Sequence, residues 1–461
     1  MIPLHSRVAA IDDVEDHLQK IVWGLGKAGF CAIPFLFEDG QLENAPAQPL
    51  PGLRIVFSDI HLVGGGPNNE KTHAANIILC LKKIVTTGPY VLIFWSQFPG
   101  DSDKIASLIQ ERAADAGLTP PIGYAAINKN EVFKIPSVAG DDEFDAARLR
   151  DLILEKISGF RTLAVATSWE DRAARAAART TDRLFELVKT SSNPTADWEN
   201  LLAFLACEAV GQQEATASLT VALDAALLPL LEDQLSLIGN EPAPAAEDVQ
   251  RLLDIVSAAG TRKRPAVVSA AQLNTSYLIE ELAPASGARM WARGTVTALG
   301  SRFINSGPFV NAFGHDDAAL IRQEFATRDL DAEEKSSTKL HVVEIGPECD
   351  HVQGKVSTHR YLLALLVPSA LIGAFTGVEK GSKKIPSSLR YRNDSVMDIG
   401  KVSLKSGEWH LLVSCRCFMA LAAKTDVDGK PSFRLRRALI EEVAHRYSTH
   451  ARRPGVMRFH G

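Results

Sequence analysis

The feature that most constrains the fold is an alternation of two periodicities in the first third of the chain. Arg7 to Ile11 is a short apolar run ending in Asp12-Asp13. Val14, Leu18, Ile21, Val22 and Leu25 then repeat at helical spacing, and Gly29 closes that segment. Phe30 to Phe37, Leu53 to Phe57, Tyr90 to Trp95 and Ile122 to Ile127 read as four further strands. Thr72 to Val85 and Asp101 to Ala116 read as helices, the latter with Asp101 or Ser102 at its N-cap. Five strands alternating with helices predict a parallel, doubly wound sheet. Its strands are buried on both faces and should read as continuous apolar runs, as Arg54-Ile-Val-Phe57 and Val91-Leu-Ile-Phe-Trp95 do.

Polar residues stand where such a sheet places its chemistry. Asp12 and Asp13 follow the first strand, Asp59 the third, Ser96 the fourth and Lys129 the fifth. Ligand sites in open α/β sheets lie at the carboxyl ends of strands, near the point where strand order reverses. With order 2-1-3-4-5 the first and third strands are neighbours, so Asp12, Asp13 and Asp59 converge. Three close carboxylates repel unless a cation offsets them, and Mg²⁺ suits oxygen ligands combined with a phosphate. Phosphoryl transfer to a carboxylate needs a nucleophile, a metal and fixed donors. Asp59 can attack, Asp12 or Asp13 can hold the metal, Lys129 supplies charge and Ser96 a hydroxyl. The plainer alternative for Asp12-Asp13 is capping of the following helix. It leaves Asp59 and Lys129 unexplained.

This set resembles the receiver domain of two-component response regulators. The matching residues are Asp12-Asp13, the strand end Phe57-Ser-Asp59-Ile-His-Leu62, Trp95-Ser96 and Lys129. The resemblance implies a flavodoxin-like fold over residues 1–136 and Asp59 as phosphoacceptor. It also implies the backbone carbonyl of His61 as a ligand to Mg²⁺, a histidine kinase as phosphodonor and a downstream effector protein as a further partner. Two positions depart from the pattern. Asn130 stands where proline usually follows the lysine. Ala126 stands where an aromatic is usual, with Tyr124 nearest. That puts the usual hydroxyl–aromatic switching pair in question.

The remainder has a different texture. Residues 143–238 carry helical periodicity, over Phe144 to Ile157, Ala164 to Val188, Trp198 to Ala209 and Leu219 to Leu237. Residues 239–262 read as a linker with Pro242 and Pro244, followed by a helix. Residues 263–461 read as a mixed α+β domain. Leu340 to Ile345, Tyr361 to Val367 and Trp409 to Val413 are its strands, and Phe433 to His450 its terminal helix. Within it, Cys349, Asp350, His351 and His359 raise the prospect of a metal site or a catalytic thiol. Adjacent residues cannot all face one ion, so a structural turn is the expected reading, with a receiver-regulated enzyme around Cys349 and His351 as the alternative. Cys415-x-Cys417 lies in an apolar run and is expected to pack.

A formal net charge of -5 argues against nucleic acid as a general partner. The arginines Arg434, Arg436, Arg437, Arg446, Arg452, Arg453 and Arg458 are interrupted by Glu441 and Glu442. They read as a solvated face rather than a phosphate-binding patch. Six scattered cysteines form no disulfide framework, no apolar run is long enough to span a bilayer, and Met1 to Ala10 lacks a signal-peptide core. A cytoplasmic protein is the expectation. The overall layout, with Glu344, Pro347, Cys349, Asp350 and Arg453-Pro-Gly455, is also similar to a bacterial receiver family. Some of its members accompany histidine kinases in phage-defence operons such as the Detocs system.

Overall fold

The computed structural model describes residues 7–62, 69–132, 145–238, 246–257, 264–282, 292–376, 391, 393–425 and 427–452. The glycine run Gly64-Gly65-Gly66-Pro67, the prolines Pro242 and Pro244 and the tail Arg453-Pro-Gly455 lie outside the described residues. Contacts divide the chain into two compact units, residues 1–184 with 231–262, and 185–230 with 263–461.

The first unit is built on a six-stranded sheet. Its strands are β1 (Val8–Asp12), β2 (Ala32–Glu38), β3 (Gln41–Leu42), β4 (Ile55–Ser58), β5 (Val91–Ser96) and β6 (Gly123–Asn128), in the order β3-β2-β1-β4-β5-β6. Every pairing is parallel except that of β2 with β3. The sheet therefore differs in detail from the expected five strands. Asp39 (φ 48°) and Gly40 (φ 76°) turn the chain sharply after β2, and the two-residue β3 folds back along the edge. Two residues are too few for a sequence period to reveal.

Alternation along each strand feeds two separate cores. Ala9, Ile11, Val56, Leu92 and Phe94 face α2 (Glu70–Ile84) and α3 (Ser102–Arg112). Val8, Ala10, Ile55, Phe57, Ile93 and Trp95 face α1 (Glu15–Lys27) and α4 (Ala146–Ser158). With both faces covered, the carboxyl ends of the strands are where polar side chains can gather.

The second unit carries a seven-stranded sheet whose pairings are all antiparallel. Its strands are β7 (Ile279–Glu281), β8 (Thr295–Leu299), β9 (Lys339–Glu344), β10 (Thr358–Pro368), β11 (Val396–Leu404), β12 (Gly407–Ala422) and β13 (Gly429–Leu435), in the order β11-β12-β10-β9-β8-β13-β7. The period of two sorts its residues. Leu340, Val342, Leu363, Leu365 and Leu412 enter one core, beneath Phe303, Phe309 and Phe325. Val343, Leu362, Leu366, Leu411 and Val413 enter the other, beneath Leu439, Ile440 and Val443 of the terminal helix Arg437–Ala451. That helix begins later than its apolar spacing predicts, because Phe433 and Leu435 belong to β13 and point into the core. Among the described residues no helix is long and apolar enough to cross a membrane.

Candidate functional site

Asp12 is the last residue of β1, and Asp59 follows β4, the strand paired with it in parallel. Asp12 is fully buried, Asp59 nearly so and Asp13 half-buried. One carboxylate oxygen from each of the three lies within 4.8 Å of the others. Lys129 opens the turn after β6 and is itself buried. Its Nζ donates to Asp12 Oδ2 at 2.8 Å and to Asp59 Oδ2 at 2.7 Å. The ammonium also stands 5.9 Å from the centre of the Trp95 ring, a cation–π contact. Residues separated by up to 117 positions thus meet in one place.

The remaining lone pairs are mostly used by backbone. Asp12 Oδ1 accepts from Val14 N at 3.0 Å, so Asp12 satisfies the chain entering α1 and pairs with Lys129 at the same time. Asp59 Oδ1 accepts from Ile60 N at 2.6 Å and more distantly from His61 N at 3.4 Å. Burial is the main cause that raises the Asp12 carboxyl to about 6; Lys129 opposes it and Asp59 adds to it. The Asp13 carboxyl is also raised, by burial first and then by the charge of Asp59. One ammonium is shared by two of three neighbouring carboxylates, so the cluster carries excess negative charge in a poorly solvated place. Such a cluster can bind a metal ion, and its all-oxygen donor set suits a hard cation.

Ser96 and His61 form the adjoining wall. Ser96 is buried, and its Oγ accepts from Phe98 N at 3.3 Å and lies 3.5 Å from His61 Nδ1. His61 Nε2 faces Asp101 Oδ2 at 3.6 Å, and the ring meets His73 edge-on at 4.6 Å. Asp101 holds the N-cap position of α3 without a side-chain capping bond. Its carboxylate is turned to His61 instead. Tyr124 is exposed and bonds Asp103, whereas Ala126 packs against the core.

Sequence reasoning missed His17, whose Nδ1 lies 3.3 Å from Lys129 Nζ and 3.8 Å from Asp12 Oδ1. Burial, then the nearby lysine, lowers its pKa, which favours a neutral ring there. Its position in the first turn of α1, five residues after Asp12, is the signal that could have found it. In the second unit, Cys349 is exposed with its thiol on Asp350 at 3.6 Å. His351 and His359 turn instead to Glu344. Arg434, Arg437 and Arg446 are each paired with a glutamate.

No protein-family model matches the chain, and no curated protein matches it.

Proposed function

We propose that the first unit is a receiver that accepts a phosphoryl group on Asp59 from a histidine kinase and relays or buffers that signal. The observation that supports this most is Lys129, a buried ammonium bonded to Asp12 and Asp59 at once. A structural ion pair needs one carboxylate. A lysine shared by two, with a third beside them, is an arrangement that holds charge ready for both a cation and a phosphoryl group.

Asp12, Asp13 and Asp59 would hold Mg²⁺, with the His61 carbonyl as a further oxygen ligand. Bound there, the ion neutralises phosphoryl oxygens and lowers the barrier to attack. The rest is done by the chain. The backbone amides of Ile60 and His61 fix the Asp59 carboxylate in place. That carboxylate attacks phosphorus in line, the P–N bond to the donor imidazole breaks, and the imidazole leaves with a proton from solvent. Lys129 keeps its contact with Asp59 while the single charge of the carboxylate becomes the roughly -1.5 to -2 of the phosphoryl group. Ser96, whose hydroxyl faces His61, can reorient to donate to a phosphoryl oxygen.

The test is labelling of the full chain with acetyl phosphate in Mg²⁺. The wild type should label and Asp59→Asn should not, with both folded by circular dichroism. Equal labelling of the two would overturn the assignment. A kinase-bearing operon, as in phage defence, is the setting proposed for this activity.

A further inference from the structure

Glu344 is the last residue of β9, and Tyr361 of β10 pairs with it. His359 precedes Tyr361 by two residues and so shares its strand face. His351 is delivered by the short helix Glu348–Val352 in the connection between these strands. Three residues from a strand end, a loop helix and the next strand thus bring ligand atoms within 4.8 Å of one another. His351 Nε2 is 2.8 Å from Glu344 Oε2, and His359 Nδ1 is 3.7 Å from Glu344 Oε1.

Glu344 is fully buried, and among the described residues no lysine or arginine pairs with it. Gly346 N donates to Oε2 at 2.9 Å and Arg360 N to Oε1 at 3.2 Å. Two backbone amides orient the carboxylate but do not cancel its charge. A buried anion needs a cation, and two imidazole nitrogens already converge on it. The backbone is shaped around this point. A Cβ on Gly346 would come within 2.7 Å of both Glu344 Oε1 and His351 Nε2, so only glycine leaves these atoms uncovered. His351 and His359 also line a cavity of about 1020 Å³, which gives an ion a route in and a free coordination position. The arginines of that lining, Arg293, Arg434 and Arg437, are each paired with glutamate, so nothing there selects an anion.

We propose that Glu344, His351 and His359 form a second metal site, for Zn²⁺ rather than Mg²⁺, with its fourth position open to this cavity. Two imidazoles and one carboxylate are a borderline-soft donor set that favours Zn²⁺ over Mg²⁺. Tetrahedral ligation needs donor atoms about 3.3 Å apart, within the spread of the two spacings above. The proposal is independent of the receiver assignment.

The experiment is titration of the metal-stripped full chain with Zn²⁺, and with Co²⁺ as a spectroscopic stand-in, in excess Mg²⁺ to occupy the aspartate cluster. One Zn²⁺ per chain is expected, with visible Co²⁺ bands. Affinity should fall at least about 10-fold in His351→Ala and in Gly346→Ala, and stay unchanged in Asp59→Asn. Folded wild-type protein that binds no Zn²⁺ and shows no Co²⁺ bands overturns the proposal without any variant. So does binding that survives His351→Ala, or binding lost in Asp59→Asn alone.

Discussion

Lys129 shows what a single side chain decides in this molecule. It is nearly inaccessible to water, and Asp12 and Asp59 each bond its ammonium at under 3 Å. Replacing it with methionine would keep most of the volume and leave two buried carboxylates facing each other. Removing one partner of a buried ion pair typically costs about 3–5 kcal/mol. Lys129→Met should therefore unfold at markedly lower denaturant in metal-free buffer, and Mg²⁺ should recover part of the loss by taking over the neutralising role. Labelling of Asp59 by acetyl phosphate should drop roughly tenfold or more. A variant as stable as wild type, labelled at the same rate, would show that the ammonium has no part in either. Asp12, Asp59 and Lys129 were legible from sequence because strand ends in a parallel sheet are predictable positions. His17 was not, since a histidine on a helix face looks the same whether it meets solvent or a lysine. Glu344 stood out in the sequence only as part of a family-like layout, because its partnership with His359 depends on the register of β9 against β10.

At the scale of elements, helix α1 packs on α4 through a point of very close approach. A Cβ on Gly24 would lie 2.2 Å from Leu149 Cδ2, and Leu149 is completely buried. Gly24→Ala thus forces the Leu149 side chain or α1 itself to shift despite improving helix propensity, and should cost about 1–3 kcal/mol. Truncating the partner in the same chain, Gly24→Ala with Leu149→Ala, should cost less than the sum of the two single changes, by about 0.5–3 kcal/mol. Additive costs in urea unfolding would mean the helices do not meet there. The strands of this unit were readable as continuous apolar runs, which is what burial on two faces demands. The shortest edge strands gave no such signal: β3 has two residues and β7 three. Strands β11 and β12 each carry a register irregularity that breaks simple alternation.

Across the whole molecule, two sheets of different kinds have separate cores, and the second carries its own response to pH. His341 on β9 is buried, with Nδ1 2.9 Å from the Lys339 carbonyl and Nε2 3.3 Å from the Ser432 hydroxyl. A carbonyl only accepts, so Nδ1 carries the proton and Nε2 accepts from Ser432. Burial pushes this histidine down to about 4. Its folded pKa lies below the ordinary value near 6.5, so the unfolded chain binds the proton first. The stability it supports is complete above about 6.5 and is lost as pH falls toward 4, by at most about 3 kcal/mol. The urea midpoint should fall across that window and fall less steeply in His341→Gln; identical slopes would remove His341 as the cause. The antiparallel character of this unit was only partly readable, because three of its strands are strongly apolar while β7, β8 and β13 are short or mixed.

The claim on which the functional account depends is that Asp59 is the residue that becomes phosphorylated. Reductive trapping of the acyl phosphate after incubation with acetyl phosphate and Mg²⁺, followed by peptide mass spectrometry, locates the modified side chain directly. A single trapped residue at Asp59, absent when the metal is chelated, is the expected outcome. Trapping at Asp12 or Asp13, at a residue of the second unit, or nowhere in folded protein would contradict it.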